Sequence, residues 1–566
     1  MERTVDDLKE KGIDREWCIG AQRRLQEGKQ YLKTDYRVHC TEESSPCKDH
    51  CRKFALSDSV EQDFKEECDH GHHLRCNMCE DLKDVMNDVK QQILESSTSM
   101  YSKEHQEDLL YDFEQARTDI LQWKAHILRS VNQDKAKQDI IRNLNDNSAL
   151  VVMDWAMKFL QMRYREKQSD WFAKRGISWH VSTVIFKQEA SSDVEVQTYA
   201  HLFDYCQQDW FAVCSIFENL LKNIVASKPS INSVFLRSDE AGCYHINALI
   251  ASLKDVGQRL GVQVKGYDYS EPAYGKDVCD RILCPMKSSI RCYCDEGHEI
   301  NCAADMRTSL LERPVRGVSA SVCVIDEKKK NLKVNKIDGF SKLHNFRYDD
   351  KGLRVWRAYD IGPGKLIPFD DIVVKQQDAT GLTVQESGDF FTMRNARHLH
   401  VSTPEINDTE EATEEGHLFE CPEPGCQRVF KSFCELEIHA EIGNHGNRPM
   451  SESFYDRMRR EWAERFSTVD PVKADGSSGS GIRSSEEKAD TPPSDLSQGW
   501  ALSKPRDSTR FTPKVKAYLN AKFELGEKTG LKADPNQISA DMRNARDEEN
   551  NLRLIFQRGV AYKKSD

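Results

Sequence analysis

The sequence predicts a multidomain α+β protein whose centre is a mixed five-stranded sheet with helices on both faces. Three observations carry that prediction. At residue 148 a proline-free helical stretch gives way to short β-branched runs in the order strand, strand, strand, helix, strand, helix, strand, helix. Soft metal ligands cluster at two places far apart in the chain, within 40–80 and within 417–446. A Gly/Ser/Pro-rich tract over 466–505 sets the remainder of the chain apart.

Length and charge narrow the function classes. A chain of 566 residues has room for three or four domains. Its 81 basic residues against 93 acidic give a net charge of -12, which argues against a general polyanion binder. No run reaches about 18 apolar residues, so no membrane span is expected. The opening MERTVDDLKEKGIDREW lacks the apolar core of a signal peptide. A reducing, nuclear setting is the expectation, and in it 19 cysteines are better explained by metal ligation than by disulfides.

In chain order, residues 1–39 read as a helical segment and 40–80 as a Cys/His module. No proline occurs from 47 to 228, and residues 81–147 place Leu109, Leu110, Phe113, Ile120 and Leu121 at helical spacings. This is a helical connector that packs or self-associates. The core, 148–325, begins with ALVVMDW, GISWHVSTVIF and VEVQTYAHLFDY, three strands in quick succession that form an antiparallel meander. Helix DWFAVCSIFENLLKNIVA, strand INSVFLRSD, helix HINALIASLKDVGQRL, strand VQVKGYDY and helix GKDVCDRILCPMKSSIRCY follow. Residues 326–410 read as a small β accessory region, and 506–566 as a helical segment with 13 Lys/Arg against 9 Asp/Glu.

The 417–446 segment carries the most specific motif. Cys421 and Cys426, then His439 and His445, have the pair spacing of a tetrahedral zinc site built from a turn and a helix, with Phe430 and Leu436 as its small apolar core. It resembles the C2H2-type zinc finger. Ser432, Glu435 and Ile438 occupy the helix positions that meet bases in related fingers, and Glu437 and Glu441 add negative charge. A structural or partner-binding finger is therefore favoured over an independent DNA reader.

Residues 40–79 contain Cys40, Cys47, Cys51, Cys68, Cys76 and Cys79 with His50, His70, His72 and His73. Such density points to structural Zn2+, with Cys47, Cys51, Cys68, His70, His73, Cys76 and Cys79 as the expected ligands. Spacing leaves one site with spares or two full sites equally open.

Asp154 ends the strand ALVVMD and Asp239 ends SVFLRSD, so each is delivered to the rim of the sheet. EPAYGKDVCDR offers Glu271, Asp277 and Asp280 as a third acid. Three convergent carboxylates suit two hard divalent ions, Mg2+ or Mn2+, for phosphodiester chemistry. Taken singly, an Asp after a strand is most often a turn or cap residue. His180, His201 and His245 read as packed histidines, and Cys243, Cys279 and Cys284 as small buried hydrophobes.

With this order of strands and acids, and with RSDEAGCYH similar to a S-D-N-x-G signature, residues 149–325 resemble the RNase H-like core of DDE transposases and retroviral integrases. Together with VVMDWAMKFL and SEPAYGKDVCDR, the chain looks like transposon-derived animal proteins that carry Cys/His clusters. The resemblance implies Asp154 and Asp239 as catalytic metal ligands and Asp280 as the third acid. Two departures stand out: Glu240 replaces the usual Asn, and Asp280 lies five residues past Gly275.

The C-terminal run TPKVKAYLNAKFELGEKTGLKADPNQISADMRNARDEE, with Lys514, Lys516, Lys522, Lys528 and Lys532, reads as helix, turn, helix, in the manner of a helix-turn-helix. The expected function is a zinc-binding, transposase-derived protein that binds nucleic acid, DNA ahead of RNA, and cuts or joins it with two metals. The alternative is a non-catalytic zinc-finger scaffold with a degenerate nuclease core.

Overall fold

The N-terminal third is helical, as its apolar spacing requires. Helices α1 (Glu2–Glu10) and α2 (Arg15–Lys33) are followed by short α3 (Asp35–His39) and α4 (Arg52–Leu56), then by α5 (Asn77–Glu95) and the long α6 (Lys103–Asn143). The Asp14 carboxylate accepts from Trp17 N at 2.8 Å and starts α2. Val5, Leu8, Leu25, Leu82, Val85, Val89, Phe113 and Leu128 form one buried cluster, which absorbs Leu109 and Phe113 of the connector and leaves Leu121 exposed. The computed structural model describes residues 1–42, 44–95, 103–160, 175–187, 194–272, 277–377, 380–387, 419–420, 429–430, 496–503, 513–529, 534, 538 and 541–542. Two units are distinguished, Met1–Leu502 and Ser503–Asp566.

In the first unit β1 (Ser148–Trp155) pairs antiparallel with β2 (Ser178–Lys187), and β2 with β3 (Val194–Phe203). On its other side β1 runs parallel to β4 (Ser233–Ser238), and β4 to β5 (Gln263–Tyr269). The chain is thus mixed α/β around a large mixed sheet. Period-2 alternation sends Ala149, Val151 and Met153 to one face, under α7 (Trp210–Ser227) and α8 (Asn247–Arg259). Leu150 and Val152 face the other way, toward α9 (Val278–Asp295), α10 (Ala303–Glu312) and the end of α6.

The sheet does not stop at five strands. β6 (Val318–Ile325) lies parallel to β3. Lys333–Val334 forms β7, while β8 (Asn345–Tyr348), β9 (Leu353–Trp356) and β10 (Lys365–Ile367) continue outward from β5. After α11 (Phe369–Ile372), β11 (Val373–Lys375) pairs with β7, and β12 (Leu382–Glu386) pairs with β6. The full order is β10-β9-β8-β5-β4-β1-β2-β3-β6-β12. The region read as an accessory unit therefore extends the core sheet, because β3 and β5 would otherwise present unpaired edges. Gly266 permits it: a Cβ there would meet Arg347 Nη1 at 2.6 Å and Phe346 O at 2.9 Å.

Part of the tract assigned to a linker is also ordered. Residues 496–502 form a turn against α4, with Gly499 N donating to Phe54 O and Ala501 N to Ala55 O. Trp500 Nε1 reaches Lys48 O, and Arg129 Nη1 of α6 donates to Ala501 O at 2.8 Å. A tryptophan at the end of a polar tract is what gives the turn apolar surface to bury.

Phe419–Glu420 (β13) and Val429–Phe430 (β14) pair antiparallel. The finger ligands Cys421, Cys426, His439 and His445 lie outside the described residues. In the second unit Pro513–Thr529 forms α12, against which Ile538 and Met542 pack through Tyr518 and Leu519. Lys522 pairs with Asp541 at 3.2 Å.

His180 and His201 sit side by side in β2 and β3 and are fully buried. His180 Nε2 lies 3.0 Å from the Tyr244 hydroxyl, and His201 Nε2 lies 3.0 Å from Asn219 Oδ1. Burial drives His201 down to about 4 and His180 well below its ordinary 6.5. A histidine with a depressed folded-state pKa stabilises the fold above 6.5, and that contribution is lost as pH falls from 6.5 through about 4. Urea unfolding between pH 7.5 and 4.5 is therefore expected to show a shallower acid loss for His201→Gln than for the natural chain. Equal slopes would contradict a buried neutral imidazole.

Candidate metal centres

Asp154 shares the parity of Leu150 and Val152, so it belongs to the face that α9 covers. The parallel register Met153↔Ser238 sets the next residue of each strand, Asp154 and Asp239, side by side at the rim. Asp239 also closes a turn, its Oδ1 accepting from Ala241 N at 3.0 Å. The third acid comes from α9. The Cys279 thiol donates to Val152 O at 3.3 Å, which pins the first turn of α9 across β1 with Asp280 as the next residue. Burial, then the fields of Asp239 and Asp280, push the Asp154 carboxyl up to about 7. Burial raises Asp239 as well, with Glu240 and Asp280 adding to it.

The other acids offered by the sequence are neutralised. Glu271 lies 2.6 Å from Arg129 Nη2 and 3.1 Å from His126 Nδ1. Burial alone would raise it, but those two partners hold it below the usual range. Asp277 caps α9 through Val278 N and lies 2.6 Å from Lys137 Nζ and 3.6 Å from Arg237 Nε. Burial would raise it, but those cations keep it far below the ordinary carboxylate value. Glu240 turns to His344 Nδ1, so it too has its own partner. Asp154, Asp239 and Asp280 have no ion pair among the described residues. Among the described residues the donor groups whose atoms lie within 4.8 Å of one another are two Cys/His groups and do not include these acids.

The second centre lies in the N-terminal module. Sγ of Cys51 is 3.7 Å from Cys68 Sγ and 3.4 Å from His70 Nε2, and His72 completes a group whose donor atoms all fall within 4.8 Å of one another. Asp69 Oδ1 lies 3.1 Å from His70 Nδ1. His70 Nε2 lies 3.1 Å from the Ser45 carbonyl oxygen as well as against Cys51 Sγ. His72 Nε2 is buried with no hydrogen-bond partner.

His39, His50 and Cys76 form another such group, with Cys79 Sγ 3.5 Å from His50 Nε2. The Tyr31 hydroxyl touches all four, at 3.2 Å from His39 Nδ1, 3.0 Å from His50 Nε2, 3.3 Å from Cys76 Sγ and 3.4 Å from Cys79 Sγ. Beneath it, Lys124 Nζ of α6 forms a buried pair with Asp49. These Cys/His groups can hold metal ions.

The structure changes the ligand set read from spacing. His39, His50 and His72 join it. Cys47 and His73 fall outside both groups among the described residues: Cys47 bridges its backbone to Leu74, and His73 is exposed. Of the His72–His73 pair the fold places His72 in the group and leaves His73 exposed. His39 was detectable only as one more imidazole beside Cys40.

Among known proteins, residues 133–351, which contain all three acids, match the family model described as a domain of unknown function (DUF8701). No curated protein and no solved structure matches the chain.

Proposed function

We propose that the chain is a transposase-derived, zinc-binding nuclear protein that binds DNA and catalyses divalent-metal-dependent phosphodiester cleavage or strand transfer at Asp154, Asp239 and Asp280. The observation that supports the reading is the placement of these acids about one sheet rim, Asp154 in β1, Asp239 just beyond the parallel β4 and Asp280 in the first turn of the covering helix, none with an ion pair among the described residues. The strand order β5-β4-β1-β2-β3, with β5, β4 and β1 parallel and β1, β2 and β3 antiparallel, supports the RNase H-like reading of this core.

Two Mg2+ or Mn2+ ions held by these carboxylates would supply Lewis-acid stabilisation of the attacking and leaving oxygens. The chain's own part is to place the acids and to keep other cations from them. Cys279 fixes the helix that brings Asp280 in, and Lys137 and Arg237 are held by Asp277 rather than left to neutralise the acids. Asp154, with its carboxyl near 7, gives up its proton when a cation arrives, so loading near neutrality releases protons.

The same rim offers a surface for a nucleic-acid strand. Tyr205, just beyond β3, is 62% exposed, and the Arg175 guanidinium lies 5.8 Å from its ring centroid. An exposed ring backed by a cation suits an unstacked base. The lysines of α12 add a second basic surface for the backbone.

The test is incubation of the full chain with end-labelled duplex and single-stranded DNA in Mg2+, Mn2+ or EDTA. Divalent-dependent nicking or joining is expected. Its absence with both metals on both substrates would overturn the catalytic reading in favour of a DNA- or protein-binding scaffold.

A further inference from the structure

We propose that residues 39–79 hold two zinc ions in nested sites, an inner one ligated by Cys51, Cys68, His70 and His72 and an outer one by His39, His50, Cys76 and Cys79. The proposal rests on reading the Cys/His groups as zinc-binding and adds which side chains share an ion. It is independent of the chemistry at the acidic rim.

Each set is two thiolates and two imidazoles, a donor combination that suits tetrahedral zinc and balances its charge. In the inner set the donors already lie within 4.8 Å of one another, Asp69 holds the His70 ring through Nδ1, and the buried His72 Nε2 has no partner. A buried ring nitrogen without a partner costs free energy unless something binds its lone pair. An ion at the centre of the group would do so.

In the outer set the four donors surround one point near the Tyr31 hydroxyl, at 3.0 to 3.4 Å. Cys76 and Cys79 flank the start of α5, where the helix N-terminus favours thiolates. With an ion bound, the Tyr31 hydroxyl would donate to one of the two thiolates it touches. Buried Lys124, 5.3 Å from the Tyr36 ring centroid and paired with Asp49, anchors this site to α6.

In chain order the outer ligands enclose the inner ones, and His50 and Cys51 are joined by a single peptide bond. The geometry of each ion therefore constrains the other. The loop closed by the inner site also carries Asp58 and Glu61, which pair with Arg357, and Asp63, whose carbonyl accepts from Gly364 N at 2.8 Å. The inner ion thereby positions the module against the extended edge of the sheet.

The test counts zinc by native mass spectrometry in the full chain carrying Cys421→Ser and Cys426→Ser, so that the module is counted alone. Two ions are expected. Cys51→Ser with Cys68→Ser should leave one, as should His39→Ala with Cys79→Ser, whereas Cys47→Ser or His73→Ala should leave two. Tyr31→Phe should keep both but weaken the outer site about 10-fold to 100-fold. Should the ligand variants fail to fold, cobalt loaded into the background protein reports directly: two ions and four thiolates are expected from the charge-transfer absorption. No bound zinc would refute the zinc reading itself. A single ion, or loss of an ion on replacing Cys47 or His73, would overturn the pairing while leaving zinc binding intact.

Discussion

Asp154→Asn is expected to lower divalent-dependent cleavage by about a thousandfold or more, equivalent to about 4 kcal/mol of transition-state stabilisation. Asn keeps the shape of the side chain at the end of β1 but removes the charge that Asp239 and Asp280 share with it. The fold should not suffer, because like-charge repulsion at the rim is relieved. Asp277→Asn, three residues before Asp280, should behave in the opposite way. It leaves Lys137 and Arg237 buried without their carboxylate, so stability should fall by about 3–5 kcal/mol through loss of a buried pair. Turnover per folded molecule should change far less than in Asp154→Asn. Steady-state cleavage rates set against urea midpoints separate the two. If Asp277→Asn abolishes turnover while Asp154→Asn does not, Asp277 is the third acid and the assignment here is wrong.

Arg347→Met is expected to cost about 3–5 kcal/mol of folding stability. Arg347 crosses from β8 to β5 and grips Asp268 with both guanidinium nitrogens, at 2.7 Å and 2.9 Å, while Asn345 Nδ2 donates to the same carboxylate at 2.8 Å. Asp268 is fully buried, so removing the guanidinium strands an ionised carboxylate with one amide donor. The network continues through Gln133 of α6, whose Nε2 donates to Asn345 Oδ1 at 3.0 Å. The damage should thus reach the contact between α6 and the sheet. Arg347→Lys should lose part of that energy, since an ammonium cannot reproduce the two-point contact. The double variant Arg347→Met with Asp268→Asn should recover some of it, because no buried charge remains. A loss below about 1 kcal/mol for Arg347→Met in urea unfolding would contradict the description of this pair.

The middle of the sheet was legible because each strand carries its own alternation. ALVVMDW states both of its faces, and the parity that buries Leu150 and Val152 also fixes the side from which Asp154 emerges. The outer strands were not legible. NFRY and LRVW look like any short β pair, and nothing local says that they add to β5; the sign was Gly266, whose missing Cβ lets β8 close on β5. Which of the acids near α9 lacks a cation was not legible either. Glu271, Asp277 and Asp280 are alike in sequence and differ only in having, or lacking, cations from α6 and β4 beside them. In the Cys/His module composition pointed to a region that can hold metal, but which donors come together depends on how a loop of some twenty residues folds back. Spacing could not decide that for His72 against His73, or for Cys47.

The central claim is that Asp154, Asp239 and Asp280 form one divalent-ion site, and the direct measurement is anomalous diffraction from crystals of the full chain soaked in Mn2+. Two manganese peaks about 3.5–4 Å apart, both against Asp154, with Asp239 and Asp280 completing their shells, are expected. Crystals diffracting well enough to show the three carboxylates but with no manganese between them, or with manganese at Glu271 or Asp277 instead, would contradict it.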